Sequence, residues 1–248
     1  MLYFQRKGIG EPLVLIHGFL GTHRIFDKIM EELSLNYDVI AVDLPGHGKS
    51  QPMEANIHNV YHYAEKIIQL LHLLGVERAT WIGHSFGGYI TYAAVDKYRS
   101  NVTKAVAVYS TPAEDDELSK VEHTKNIDVI KQIGIKAFAD SRIPRYFSMD
   151  ANEEDIHFAM VLGEQASEEG AIRALEAMRD RPDQTQMLDT VDIPLQIIKG
   201  TKDPWDGKFK LSNPSSYVTV VETDTSHMGM LDDPDQFLNV LQNWLKTT

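Results

Sequence analysis

A mostly parallel α/β sheet, covered by helices on both faces, is the fold that this 248-residue sequence predicts. Two observations carry it. Short, continuously apolar runs alternate with helix-patterned stretches, the pattern of strands buried on both faces between crossover helices. One of those runs, Ala79-Thr80-Trp81-Ile82, leads through a tight glycine-flanked turn, Gly83-His84-Ser85-Phe86-Gly87, straight into a helical stretch.

Each element follows from its own residues. Leu2-Tyr3-Phe4-Gln5 alternates as a first strand does. Leu13-Val14-Leu15-Ile16 is a short buried strand ending in His17-Gly18, and residues 25–35 carry apolar side chains at helical spacing. Val39-Ile40-Ala41-Val42 is the next buried strand; it ends at Asp43 and runs into Pro45-Gly46-His47-Gly48. Residues 59–74 form a helix with Ile67, Leu70, Leu71 and Leu74 on one face. The strand before Ser85 and the helix of residues 89–98 come next, followed by the strand Ala105-Val106-Ala107-Val108-Tyr109. Late in the chain Leu195-Gln196-Ile197-Ile198 and Val218-Thr219-Val220-Val221 are strands, and residues 234–245 are a closing helix.

Residues 112–192 break the alternation. Charge is dense there and only helical periodicity recurs, as in Val129, Ile130 and Ile133 or Ile172, Leu175 and Met178. Ordinary connections are a few residues long, so a stretch of this length is a structure in itself. The expected organisation is an α/β core of residues 1–111 and 193–248, with residues 112–192 inserted as a helical cap over the strand ends.

Composition excludes several function classes. A length of 248 residues with 43% hydrophobic content suffices for one large core. The net charge of −12 disfavours nucleic acid and anionic membrane surfaces as partners. No apolar stretch approaches the roughly 20 residues of a membrane helix. Residues 1–11 lack the long apolar core of a signal peptide, so a cytoplasmic protein is expected. The absence of cysteine removes disulfides, thiolate catalysis and Cys-ligated zinc together.

Ser85 is the candidate nucleophile. A turn between a buried strand and a helix forces its central residue into a strained backbone conformation, which demands small neighbours and so explains Gly83 and Gly87. The hydroxyl then stands clear of the sheet, and the following helix points its N-terminus at any negative charge formed there. A serine nucleophile needs a base, and the base needs an orienting acid. With this turn the expected chain order is serine, acid, histidine, the last two on loops after late strands. Asp203 follows the Leu195 strand and His227 follows the Val218 strand, both at the carboxyl edge of the sheet, where open parallel sheets place their sites. Asp115 and Asp116, just after the Ala105 strand, are the rival acids; Asp203 is otherwise a turn former before Pro204.

Acyl transfer also needs donors for an oxyanion. The backbone N–H of Phe86 at the helix start is one; the N–H of Phe19, in His17-Gly18-Phe19-Leu20-Gly21, is the other. Losing one such donor costs roughly 3 to 4 kcal/mol. His17 reads as a hydrogen-bonder shaping that loop, and His84 as packing or loop support.

In His17-Gly18-Phe19, Asp43-Leu44-Pro45-Gly46-His47-Gly48-Lys49-Ser50, Gly83-His84-Ser85-Phe86-Gly87, Gly200-Thr201-Lys202-Asp203 and Ser226-His227 the chain resembles the α/β-hydrolase superfamily over essentially its whole length. The resemblance implies a triad of Ser85, Asp203 and His227, with oxyanion donors on Phe19 and Phe86. Serine at position 85 separates the chain from the haloalkane dehalogenase and epoxide hydrolase branches, which carry aspartate there. The cap is similar to that of 3-oxoadipate enol-lactonases at Gly134-Ile135-Lys136-Ala137-Phe138-Ala139-Asp140 and Pro144-Arg145-Tyr146-Phe147.

The expected function is a carboxylesterase-type serine hydrolase acting on small, largely neutral esters. Lactonases, C–C bond hydrolases, perhydrolases and non-catalytic ligand receptors share the scaffold. Phe19, Leu20, Phe86, Trp205 and Met228 flank the candidate catalytic residues and suit an apolar acyl group. Arg142 and Arg145 either hold a substrate carboxylate or are ordinary solvated cap charges. His58 and His62 stand four apart, but nothing completes a metal set, and they read as surface residues. No cofactor or metal is expected, because a serine triad uses none.

Overall fold

The computed structural model describes residues 1–52, 59–205, 211 and 213–247. Seven strands make one sheet: β1 (Phe4–Lys7), β2 (Glu11–Ile16), β3 (Tyr37–Val42), β4 (Ala79–His84), β5 (Val102–Val108), β6 (Leu195–Gly200) and β7 (Val218–Thr223). Their spatial order is β1-β3-β2-β4-β5-β6-β7; β1 runs antiparallel to β3, and every other neighbouring pair is parallel. The helices are α1 (Asp27–Leu33), α2 (Val60–Leu73), α3 (Phe86–Lys97), α4 (Glu117–Arg142), α5 (Glu153–Gly163), α6 (Glu168–Arg179), α7 (Met187–Thr190), α8 (Gly229–Asp232) and α9 (Pro234–Thr247). Among the described residues no helix is long and apolar enough to cross a membrane.

The central strands lack apolar–polar alternation because both of their faces are covered. Every residue of β4 is buried, as are Leu13 to Ile16 of β2 and Val39 to Val42 of β3. Helix α3 is likewise buried all round through its middle, with Ile90, Thr91, Tyr92, Ala93 and Ala94 fully enclosed. Register brings the carboxyl ends level: Ile16 pairs with Gly83, His84 with Val108, and Val108 with Ile198. The chain therefore leaves β2, β4, β5 and β6 along one edge, which gathers the loops carrying Phe19, Ser85, Tyr109 and Asp203.

Three local expectations shift. Pairing of β1 begins at Phe4 rather than Leu2: the Tyr3 N–H goes to the Ser50 hydroxyl at 2.8 Å instead of to a strand. The helix expected over 25–35 starts earlier, as a 3-10 turn at His23–Phe26 whose Arg24 N–H is capped by the Thr22 hydroxyl, and only then becomes α1. The valine-rich β7 is an edge strand with Val220 exposed, so its apolar run does not mark burial on both faces.

Between β5 and β6 the chain forms α4 to α7 and a 3-10 turn at Ile143–Tyr146, with no strand among the described residues. Helix α4 kinks at Gly134, where φ is 78° and ψ 164°; Ile133, just before the break, is exposed rather than packed. Phe138, Ile143, Leu162, Leu175 and Met178 are buried. This segment is fastened to the loop after β3. Ser167 N donates to Gly46 O at 2.8 Å, and a Cβ on Gly46 would lie 2.3 Å from the Cα of Gly170.

Candidate active site

Ser85 sits between β4 and α3 with φ 52° and ψ −114°, a conformation rare for a residue with a side chain. The surroundings over-determine it. Its N–H donates to Val108 O at 2.9 Å, and its carbonyl accepts from Gly88 N at 2.8 Å and from the Ser110 hydroxyl at 2.9 Å. The flanking glycines are sterically required: a Cβ on Gly83 would meet Gly87 O at 2.1 Å, and one on Gly87 would meet Ile16 O at 2.3 Å. The sharp turn and the close approach of α3 to β2 thus explain the glycine spacing, and Ser85 is left partly exposed in the wall of a cavity of about 370 Å³.

His227, on the loop between β7 and α8, lines the same cavity. Its Nδ1 lies 2.7 Å from Asp203 Oδ2, and the other carboxylate oxygen of Asp203 accepts the Trp205 N–H at 2.8 Å. The Asp203 side chain has no exposed surface. With Nδ1–H donating to the carboxylate, Nε2 of His227 is the free basic nitrogen. Four rings surround the imidazole: His84 at 4.9 Å, Tyr146 at 5.4 Å, Trp205 at 5.9 Å and Tyr109 at 6.3 Å between centroids.

His84 has a more definite place than packing. Its Nε2 donates to the His227 carbonyl at 2.7 Å, so the residue beside Ser85 holds the loop that carries His227. Burial, and the positive form of His227 next to it, hold its pKa well below the usual histidine value, and it is a neutral donor.

The loop after β2 brings Phe19 to the cavity beside Ser85. Gly18 O accepts from Gly21 N at 3.0 Å and from His17 Nδ1 at 2.7 Å, while His17 Nε2 accepts the Leu44 N–H at 2.9 Å. That acceptor role fixes the proton of His17 on Nδ1. Burial, with His47 nearby, takes its pKa down to about 3, so the imidazole is a neutral bridge between the loops after β2 and β3. Beneath it, the buried Asp43 carboxylate accepts from His23 N and from Lys49 N, and contacts His23 Nδ1 at 2.7 Å. Burial pushes the Asp43 carboxyl up, but the hydrogen bonds from His23 and Lys49 outweigh it and hold it below the usual range. Phe86 opens α3, and the first turn of a helix leaves its N–H groups without intrahelical partners.

The rival acids are elsewhere engaged. Asp115 Oδ1 pairs with the buried Arg181 at 2.7 Å and Oδ2 lies 2.8 Å from His123 Nε2. Asp116 is the exposed N-cap of α4, accepting the Ser119 N–H. Neither is paired with His227.

Among the other sequence candidates, Trp205 and Arg142 line the large cavity, with the Arg142 guanidinium 5.3 Å above the Trp205 ring and 2.9 Å from Glu122. Leu20 and Met228 face a smaller apolar hollow shared with Phe19 and Tyr146. Arg145 is exposed and stands outside both. His62 follows the cap of α2, whereas His58 lies outside the described residues. Three contributors were not singled out as site residues by the sequence: Ser110, which clasps the Ser85 carbonyl; Tyr146, which covers His227; and Tyr109, whose hydroxyl meets Thr225 at 2.8 Å. Each depends on pairing between distant segments, and only the position of Ser110 and Tyr109 at the end of a strand hinted at it.

Known proteins share this architecture. A family described as alpha/beta hydrolase fold matches residues 11–126. The (E)-2-((N-methylformamido)methylene)succinate hydrolase of Acinetobacter baylyi is 25% identical over 256 residues, covering 99% of this chain and 94% of its own. A thermophilic esterase from Thermogutta terrifontis, solved with malate bound, superposes with a TM-score of 0.90 at 24% identity, over 99% of this chain and 93% of its own. The enol-lactonase of Burkholderia xenovorans LB400 gives 0.86 at 19% identity, over 99% and 96%.

Proposed function

From the premise that the chain belongs by fold to the α/β hydrolases, we propose that it hydrolyses small carboxylic esters through an acyl-enzyme on Ser85. The observation that supports this most is the 2.7 Å contact of His227 Nδ1 with the enclosed Asp203 carboxylate, in the wall of the cavity that also holds Ser85. His227 Nε2 takes the Ser85 proton as the hydroxyl attacks the ester carbonyl. Asp203 keeps the proton of the imidazole on Nδ1 and stabilises its positive form. The tetrahedral oxyanion rests on the N–H groups of Phe19 and Phe86, two donors in place before charge develops. Collapse expels the alcohol with the proton from His227, and water activated by the same nitrogen releases the acid.

The helical segment of residues 112–192 serves as a cap in this reading, since Arg142, Tyr146, Leu175 and Met178 supply cavity wall from it. The steps use this chain and water alone, and the reading is of a cytoplasmic enzyme for small-molecule esters. Initial rates on p-nitrophenyl esters of increasing acyl length, wild type beside Ser85→Ala, test it. Turnover abolished by the substitution is expected; undiminished turnover in the variant removes Ser85 from the reaction.

A further inference from the structure

Resting on the ester-hydrolase reading, we infer that the cavity selects esters whose non-reacting half carries hydrogen-bond donors, hydroxyl or ammonium, and turns away those carrying a carboxylate. Ser85 and His227 in its wall make the cavity the ligand site; the remaining wall decides what enters. Four carboxylates line it, Glu114, Asp115, Asp116 and Glu122, against two guanidiniums, Arg142 and Arg181.

Both cations are already committed. Arg181 is buried, and all three of its guanidinium nitrogens are used: Nε and Nη2 donate to Ala113 O, Nη1 to Met178 O and to the Asp115 carboxylate. Its guanidinium also stacks 3.9 Å over the Tyr89 ring. Arg142 gives Nη1 to Glu122 at 2.9 Å, hydrogen-bonds Tyr146 and lies over Trp205. Its Nε has no partner among the described residues, but that atom has no accessible surface, so an incoming carboxylate does not reach it.

The wall therefore carries negative charge in excess of positive, four carboxylates against two guanidiniums. A substrate carboxylate would bring acceptor to acceptor and charge to like charge. Asp115 is spent on Arg181 and His123, and Asp116 caps α4. Among the described residues Glu114 and Glu122 are each engaged through one oxygen only, by Lys120 and Arg142. A hydroxyl or ammonium group would find their second oxygens to donate to, and charge-assisted hydrogen bonds of that kind are the stronger class. The overall charge of −12 acts in the same direction on approach.

Four matched acetates test this: p-tolyl, p-(hydroxymethyl)phenyl, p-(ammoniomethyl)phenyl and p-carboxyphenyl, each kcat/KM divided by the hydroxide rate of the same ester. The hydroxymethyl and ammoniomethyl esters should exceed the carboxyphenyl ester at least tenfold. In Glu122→Gln, which removes one negative charge and frees Arg142, the carboxyphenyl ester should gain at least fivefold relative to the tolyl ester. Ser85-dependent turnover with the carboxyphenyl ester equal or favoured, or a ratio unmoved by Glu122→Gln, overturns the inference and leaves the hydrolase reading standing. Turnover of the tolyl ester that survives Ser85→Ala, or none on any of the four, overturns the hydrolase reading and the inference with it.

Discussion

Replacing Asp203 by asparagine keeps the shape of the side chain and inverts one hydrogen bond. In the native site Oδ1 accepts the Trp205 N–H at 2.8 Å and Oδ2 faces His227 Nδ1 at 2.7 Å. An asparagine retains its oxygen toward Trp205, because the backbone N–H there can only donate. Its NH2 then faces His227 and also donates, so Nδ1 must become an acceptor and the imidazole proton moves to Nε2. A base already protonated at Nε2 does not take the proton of Ser85. Loss of the correct tautomer costs a factor of about 10⁴ in kcat, or roughly 5 kcal/mol. The chain should stay folded, since the amide is isosteric and keeps its backbone partner. Asp115→Asn is the opposite case. It strips the charge partner from Arg181, whose side chain is 2% exposed, and breaking a buried pair by removing one member costs about 3 to 5 kcal/mol. That variant should lose stability and, where still folded, retain turnover within an order of magnitude. The assay is kcat on the preferred p-nitrophenyl ester beside urea unfolding of both variants. Asp203→Asn with more than a tenth of wild-type kcat would refute the tautomer argument; Asp115→Asn with wild-type stability and lost turnover would transfer the acid role to Asp115.

Two further predictions concern stability. His17, His47 and His84 are buried and neutral, with pKa values held by burial at about 3, at about 4 and well below 6.5 respectively. The unfolded chain binds protons that the folded chain refuses, so stability is full above pH 6.5 and falls on acidification, by about 1.4 kcal/mol per pH unit for each histidine once well below 6.5. Asp43, its folded pKa depressed, adds a loss of the same sign below about pH 4. Urea midpoints should drop steeply from pH 6.5 to 5; a flat profile there would contradict the neutral burial of these rings. In Gly46→Ala the new methyl group meets the Gly170 backbone at φ 74°, and overpacking plus left-handed strain together cost about 2 to 5 kcal/mol. Tm should fall by roughly 5 to 15 °C; a change within one degree would show that the two backbones separate freely.

The fold was largely legible because its signals are local. Strands such as Leu13-Val14-Leu15-Ile16 are enclosed on both faces, and that enclosure writes itself as an uninterrupted apolar run. The edge strand β7 misleads for the same reason: valine favours strands whether or not both faces are covered. The surroundings of Ser85 were legible through glycines that sterics require within five residues. Chain order singled out Asp203 and His227 as candidates, with Asp115 and Asp116 as rival acids; that Asp203 lies 2.7 Å from His227 Nδ1 while Asp115 faces Arg181 is visible only in the geometry. The hold of His84 on the His227 carbonyl spans 143 residues and Ser110 clasps Ser85 across 25, distances over which no periodicity operates. The cavity charge was hidden in the same way: Glu122 and Arg142 stand 20 residues apart on one helix that kinks at Gly134, and both line the cavity.

The touching backbones of Gly46 and Gly170 set a condition on recombination. Helical segments such as residues 112–192, which supply cavity wall, are obvious parts to exchange when a different cavity is wanted. Here the donor segment must arrive with glycine where Gly170 stands, on a helix capped as Ser167 caps α6, and the recipient must keep glycine at 46. A chimera that satisfies one half alone places a methyl group inside a backbone. Libraries that exchange this helical segment should therefore be screened first at this pair of positions, ahead of any residue that lines the cavity.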